Sequence, residues 1–224
     1  MKPLTEDHLA IYRRHMVEVI DIHFDLLSDE LHRPRVGERL RAALLKVPRH
    51  LFVPRELTLA AYQDGPLPIG FDKTISQPFI AALMIDLLDV QPQDSVLEVG
   101  TGYGYQAALL AELAREVASV DVVEEFIEMA EARLRALGYG NVTLRVGDGS
   151  RGWVDQAPFD KILITAAGRD VPELQAEQLK PDGRLVMPIG GADAQQITLV
   201  EKQADGTLTR SAVMPARFTP LETV

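Results

Sequence analysis

Apolar residues recur along this chain in two rhythms. Up to residue 33 they fall at three-, four- and seven-residue intervals, as Leu9, Met16, Ile20, Phe24, Leu27 and Leu31. That spacing is helical and predicts an N-terminal helical extension over residues 1–33. A second short helix is expected over 36–46, ending before Val47-Pro48. A loop-rich stretch follows, with prolines at 48, 54, 66, 68 and 78 and glycines at 65 and 70. Pro78 is placed to open a helix through about Leu88, because its fixed φ suits a first helical turn.

From residue 94 the rhythm changes. Short apolar runs at Ser95–Val99, Val117–Asp121, Val142–Val146, Lys161–Thr165 and Arg184–Pro188 read as buried strands. Candidate helices lie between them at Tyr105–Arg115, Glu124–Leu137 and Pro172–Leu179. Such alternation predicts a mostly parallel sheet with helices on both faces. Gln196–Lys202, Asp205-Gly206 and Thr207–Met214 then read as an antiparallel hairpin. An α/β, Rossmann-like sheet finished by a hairpin is the plan of the class I S-adenosylmethionine-dependent methyltransferase fold.

Composition narrows the chemistry. With 46% hydrophobic and 25% charged residues, the chain of 224 residues suits one well-buried core plus the extension. A formal net charge of −10 argues against nucleic-acid binding, which relies on clustered Lys and Arg. The absence of cysteine removes disulfides, thiolate metal sites and a Cys nucleophile. No apolar run reaches the roughly 18–20 residues of a membrane span, and the first residues lack the apolar core of a secretory signal. A cytoplasmic protein is expected. The five histidines, at 8, 15, 23, 32 and 50, all lie in the first quarter of the chain. No two have the i, i+4 spacing of a helical zinc motif, so no metal is expected. Chemistry beyond residue 50 runs without histidine unless the N-terminal segment folds back.

Between the first strand and its helix stands Glu98-Val-Gly-Thr-Gly-Tyr-Gly-Tyr-Gln106. Glycines at such a turn let the backbone bend and approach a ligand, and the free N–H groups of a helix start favour polar ligands. Three carboxylates fall at successive strand ends: Glu98, Asp121 and Asp148, the last within Gly147-Asp148-Gly149. In open α/β sheets that is where ligands bind, and Asp121 is placed to accept both hydroxyls of a ribose. Dinucleotide-binding turns usually carry G-x-G-x-x-G, but here the third glycine position is Tyr105. Glu98, two residues before Gly100, suits a cationic ligand better than a pyrophosphate. S-adenosylmethionine, with its ammonium and sulfonium, fits best.

The stretch before the turn adds Val47-Pro-Arg-His-Leu-Phe-Val-Pro54, Tyr62-Gln-Asp-Gly-Pro-Leu-Pro-Ile-Gly70 and Thr74-Ile-Ser-Gln-Pro78. The stretch after it adds Ala157-Pro-Phe-Asp160, Ile164-Thr-Ala-Ala167, Gln178–Val186 and Arg217-Phe-Thr-Pro-Leu221. Together these segments closely resemble the protein-L-isoaspartate O-methyltransferase family over about residues 36–221. The resemblance implies a single methyltransferase domain over 34–224, with a substrate loop at about 62–78 and a cofactor core at about 94–190. The first 33 residues look longer than bacterial members would lead one to expect. It implies methyl transfer from S-adenosylmethionine to the free α-carboxyl of L-isoaspartyl residues in damaged protein or peptide. It also implies that Ser76 is the active-site residue, that Asp121 holds the ribose, and that Asp148 and Gly149 contact the adenine. Thr74, Ile75, Gln77, Glu98, Gly100, Thr101, Gly102, Gly104, Tyr105 and Gln106 complete the expected cofactor site.

Four positions depart from the family pattern, among them Asp121, one methylene shorter than the commoner glutamate. Asp72 and Lys73 replace a glycine and a glutamine, predicting a stiffer loop and a positive charge near the substrate carboxylate. Tyr103 stands where a smaller residue is common. Ser76 has two roles open to it, orienting the substrate carboxylate or capping the helix at Pro78. Trp153 is either a shield for the adenine or a core aromatic. A methyltransferase of the same fold acting on another carboxylate, small molecule or modified peptide is the alternative activity.

Overall fold

The computed structural model describes residues 5–31 and 34–223. Met1–Leu4, His32, Arg33 and Val224 lie outside the described residues, and with them parts of the expected extension.

The N-terminal periodicity resolves into α1 (Glu6–Leu26) and a single turn, α2 (Ser28–Leu31). Thr5 caps α1, its hydroxyl accepting from the His8 amide at 3.4 Å. Leu9, Met16, Val17, Ile20 and Phe24 enter the same apolar cluster as the sheet. The N-terminal segment is therefore built into the core rather than appended to it. Next comes α3 (Glu38–Lys46), and the helix expected from Pro78 is present residue for residue as α4 (Pro78–Leu88).

The region between them is more ordered than expected. Two 3₁₀ turns cover Arg49–Phe52 and Arg55–Leu57. The stretch around residue 70 is a small antiparallel hairpin, β1 (Leu67–Gly70) and β2 (Lys73–Ile75). Phe71 and Asp72 form its two-residue turn, with φ of 51° and 55°. Two-residue hairpin turns favour positive φ at both central positions, which Asp tolerates and Phe rarely adopts. The Phe71 ring meets Phe126 edge-on at 5.4 Å, a contact that helps hold that conformation.

The main sheet contains β3 (Ser95–Val99), β4 (Glu116–Asp121), β5 (Val142–Val146), β6 (Phe159–Ile164), β7 (Leu179–Gly190), β8 (Gln195–Lys202) and β9 (Leu208–Ala216). Their spatial order is β5-β4-β3-β6-β7-β8-β9. The first five are parallel, and β8 and β9 run as the antiparallel hairpin that the sequence predicts. Helices α5 (Tyr105–Ala111), α6 (Glu124–Ala136) and α7 (Glu173–Gln178) connect them. α5 is a turn shorter than predicted, and β7 begins five residues earlier, at Leu179 rather than Arg184, with a register shift against β6.

The two faces are unequally covered. Val96, Val117, Leu163 and Val186 pack under α1, α3, α4, α5 and α6. The opposite face, with Leu97, Val120, Ile162 and Leu185, is closed by Trp153, the 3₁₀ turns at 149–156 and short α7. Alternation along a strand places Glu98 on the face of Val96, beneath the larger helical layer. Strand order reverses between β3 and β6, which opens a crevice beyond their carboxyl ends.

Candidate active site

The turn from β3 into α5 is built around a close approach. Gly100 has a φ of +98°, and a Cβ there would lie 2.2 Å from Thr165 Oγ1 on the β6 side. Only glycine lets the two strand ends come so near. The Thr165 hydroxyl faces the carbonyls of Val99 and Gly100, each at 3.1 Å. Asp121, at the end of β4, holds the other side of the turn. Its Oδ2 accepts from the Gly102 amide at 2.9 Å and its Oδ1 from the Val123 amide at 3.0 Å. Burial raises the Asp121 pKa, with these amide bonds opposing the shift.

Two cavities meet at this turn. The larger, about 700 Å³, is walled by Thr74, Ile75, Ser76, Gln77, Thr101, Tyr105 and Gln106 among others. The smaller, about 80 Å³, holds Asp121 in an apolar slot made by Val99, Val120, Phe126 and Gly149. Ile69, Thr74, Gly100, Gly102, Thr165, Thr219 and Pro220 face both. Lys73 and Glu222 also line it and pair with each other. Among the described residues this leaves Asp121 as the carboxylate without a cation partner in a largely apolar slot, which suits the hydroxyls and base of a nucleoside.

Of the residues singled out in the sequence, Glu98, Gly104 and Asp148 line neither cavity. Gly104 starts α5 and faces α6, where an added Cβ would come within 3.1 Å of Ala130. Asp148 caps its own turn, its Oδ1 accepting from the Ser150 amide at 2.9 Å and hydroxyl at 2.6 Å. Gly149 alone of that pair reaches the nucleoside slot. Glu98 is fully buried; Oε2 accepts from Ser119 at 2.5 Å, and Ser119 in turn pairs with the Thr101 hydroxyl at 2.6 Å. Burial, aided by Asp121, pushes the Glu98 carboxyl up to about 8, so near neutrality it holds its proton. The fixed negative charge expected there is therefore latent. Its Oε1 has no hydrogen-bond partner, and neither has Gln106 Nε2 in the cleft wall. The open Gln106 donor in the cleft wall fits the carboxylate of an amino-acid tail, whereas Glu98 is sealed behind the turn.

Ser76 is half-buried in the wall of the larger cleft. Its hydroxyl makes no hydrogen bond among the described residues, and α4 has no side-chain cap from it. Asp64 holds that helix start instead, accepting from the Phe79 amide at 3.4 Å and from Gln77 Nε2 at 2.8 Å. His23 of α1 approaches the same carboxylate at 3.5 Å. Lys73 does not serve the substrate cleft as expected; it pairs with Glu222 at the edge of the nucleoside slot. Trp153 belongs to the core, with Arg145 stacked on its ring at 4.5 Å.

Sequence reasoning missed two parts of the site. Arg49 is completely buried, donating through Nε to the Ala61 carbonyl and through Nη2 to the Ser76 carbonyl, both at 2.7 Å. Its guanidinium lies 4.8 Å from the ring centre of Tyr105. The second is a strap over residues 217–222 that walls both cavities. It is pinned to Ala167, whose amide donates to the Thr219 carbonyl and whose carbonyl accepts from the Leu221 amide, each at 2.8 Å. The Arg217–Leu221 segment was visible as a family match but carried no signal of this contact.

A family model described as protein-L-isoaspartate(D-aspartate) O-methyltransferase matches residues 25–223. The chain belongs to that family. A protein-L-isoaspartate O-methyltransferase 1 of Polaromonas sp. is 46% identical over 98% of this chain and 93% of its own length. This alignment takes in nearly all of the N-terminal segment, so the segment that looked unusually long has a counterpart in a bacterial relative. A protein-L-isoaspartate O-methyltransferase of Dictyoglomus thermophilum is 45% identical over 94% of this chain and 90% of its own. A solved protein-L-isoaspartate O-methyltransferase superposes with a TM-score of 0.79 at 27% identity, over 93% of this chain and 65% of that one. The fold is also that of a Plasmodium falciparum structure, solved with S-adenosyl-L-homocysteine, at a TM-score of 0.72 and 20% identity over 84% and 92% of the two chains. No helix among the described residues is long and apolar enough to cross a membrane.

Proposed function

We propose that this protein transfers the methyl group of S-adenosylmethionine to the free α-carboxylate of L-isoaspartyl residues in damaged proteins or peptides, the first step of their repair. The observation that carries the reading is the unpartnered Ser76 hydroxyl in a cleft that opens onto the same glycine turn as the Asp121 slot. S-adenosylmethionine supplies an electrophilic methyl group on a positively charged sulfur. In this reading Asp121 holds the ribose hydroxyls, Gly149, Phe126 and Val120 line the base, and Gln106 receives the amino-acid tail.

The chain's own work is positioning. An α-carboxylate with a pKa near 3.5 is ionised at neutral pH and needs no general base, and no histidine among the described residues lines either cavity. Ser76 donates a hydrogen bond that aims one carboxylate oxygen along the line of transfer. The strap and the β1–β2 hairpin cover the turn and keep water away as opposite charges neutralise. Positioning of this kind supplies on the order of 7–11 kcal/mol. The backbone amide nitrogen then attacks the methyl ester without the enzyme, closing a succinimide and expelling methanol. Dependence on an intracellular metabolite supports the cytoplasmic location expected from the sequence.

Purified protein, labelled S-adenosylmethionine and paired peptides differing only in isoaspartate or aspartate test the reading. Label on the isoaspartyl peptide alone is expected. Label on neither peptide overturns it and leaves a methyltransferase for another carboxylate or small molecule.

A further inference from the structure

The larger cleft contains one charged side chain among its lining residues, Arg217. That is unusual for a pocket whose substrate is an anion. Arg217 makes no ion pair and no hydrogen bond among the described residues, and Asp193, next to cleft-lining Ala192, does not pair with it. Its backbone, in contrast, is fixed. The next residue, Phe218, is clamped by the buried Gln195 side chain, which accepts from the Phe218 amide at 2.7 Å and donates to its carbonyl at 3.2 Å. One residue further, Thr219 is bonded to Ala167. An unpaired cation thus projects from a doubly anchored strap at the exposed rim of an otherwise uncharged cleft.

Chemistry separates this cation from the reacting carboxylate. Methyl transfer discharges that carboxylate, so a close arginine would stabilise the starting ion more than the transition state and slow the step. A charge at the rim acts instead on parts of the substrate that do not react, where its attraction persists through the reaction and improves capture. The chain as a whole carries a formal net charge of −10 and repels acidic partners, which makes a single open cation at this mouth locally decisive.

We propose that Arg217 is a specificity-determining residue that binds a second carboxylate of the substrate, an aspartate or glutamate side chain flanking the isoaspartyl residue. This rests on the isoaspartyl reading above.

The test uses three isoaspartyl peptides of one length, with glutamate, glutamine or lysine beside the damaged residue, and measures kcat and KM in each enzyme. The wild-type enzyme should show a KM for the glutamate peptide roughly twofold to fivefold below that for the glutamine peptide, the range of an exposed ion pair. The two kcat values should agree, and added salt should erase the difference. Arg217→Gln should bring the KM ratio to one, and Arg217→Glu should shift the preference to the lysine peptide. Equal KM values in the wild type, or a ratio that survives in Arg217→Gln, overturns the assignment while methylation of the glutamine peptide leaves the isoaspartyl reading standing. If none of the three peptides is methylated, that reading fails and the assignment of Arg217 falls with it.

Discussion

Arg49 donates a 2.7 Å hydrogen bond from Nη2 to the main-chain carbonyl of Ser76, across 27 residues of sequence and from a fully buried position. The same guanidinium holds the Ala61 carbonyl and stacks on Tyr105. It therefore ties the serine segment to the first turn of α5, the helix that begins at the glycine bend. Arg49→Met leaves two carbonyls without their donor, at about 1–3 kcal/mol each, partly offset because a buried charge is also removed. The variant should lose a few kcal/mol of unfolding free energy in urea and lose turnover more than affinity for S-adenosylhomocysteine. Arg49→Lys should rescue little, because one ammonium cannot span both carbonyls in the fork geometry. Full turnover in Arg49→Met would show that the serine segment stands without it.

Ser76→Ala removes a hydroxyl that bonds to nothing else among the described residues. Stability should stay within about 0.5 kcal/mol of wild type, as for an ordinary surface change. Methyl transfer should fall by a factor of about 10–100, the value of a hydrogen bond to a charged group. A thermal melt beside kcat on an isoaspartyl peptide separates the outcomes. A drop in melting temperature with unchanged kcat would mean that the residue serves the helix start after all.

Glu98 predicts a pH dependence with a definite sign. Its carboxyl holds a proton up to about 8 in the folded chain, against a reference value of 4.5. Folding therefore takes up a proton between these values, and the stability contributed by this group is complete below 4.5 and is lost as pH rises toward 8. Glu98→Gln cannot lose a proton. Relative to wild type, the variant should gain up to about 1.4 kcal/mol per pH unit across that window. Urea denaturation at pH 5, 6.5 and 8 measures it, and two parallel pH profiles would contradict the shift.

Lys73 and Glu222 join the small hairpin to the strap beside the nucleoside slot, with side chains 21% and 51% exposed. An exposed pair of this kind adds less than about 1 kcal/mol to stability, so Lys73→Ser should melt close to wild type. Its effect should appear in dissociation of S-adenosylhomocysteine, faster by a few-fold in stopped-flow displacement. An unchanged dissociation rate would assign the pair to the surface alone.

The sequence was most readable where one local cause dominates. Pro78 opens α4 at the predicted residue, and the runs 95–99 and 142–146 are strands with the predicted limits, although only the first is buried as expected and 142–146 is the part-exposed edge strand of the sheet. It was least readable where the cause is distant. β1 and β2 have four and three residues, too few for an alternating pattern to show, and Pro68 masks the first. Asp148 follows a strand as a ligand would, but it lines neither cavity, and its Oδ1 accepts from Ser150 two residues on. Arg49 carries no local signal of its role, because nothing near it in sequence reveals that the carbonyls of Ala61 and Ser76 converge on it. Lys73 was assigned to the wrong cavity because its partner lies 149 residues away.

Thr74, Gly100, Gly102, Thr165 and Thr219 stand between two rooms and belong to both. Whatever settles against one side of that partition fixes the shape presented to the other. Occupants of the two rooms are thereby coupled, each changing the other's affinity by the same factor without any larger movement of the sheet.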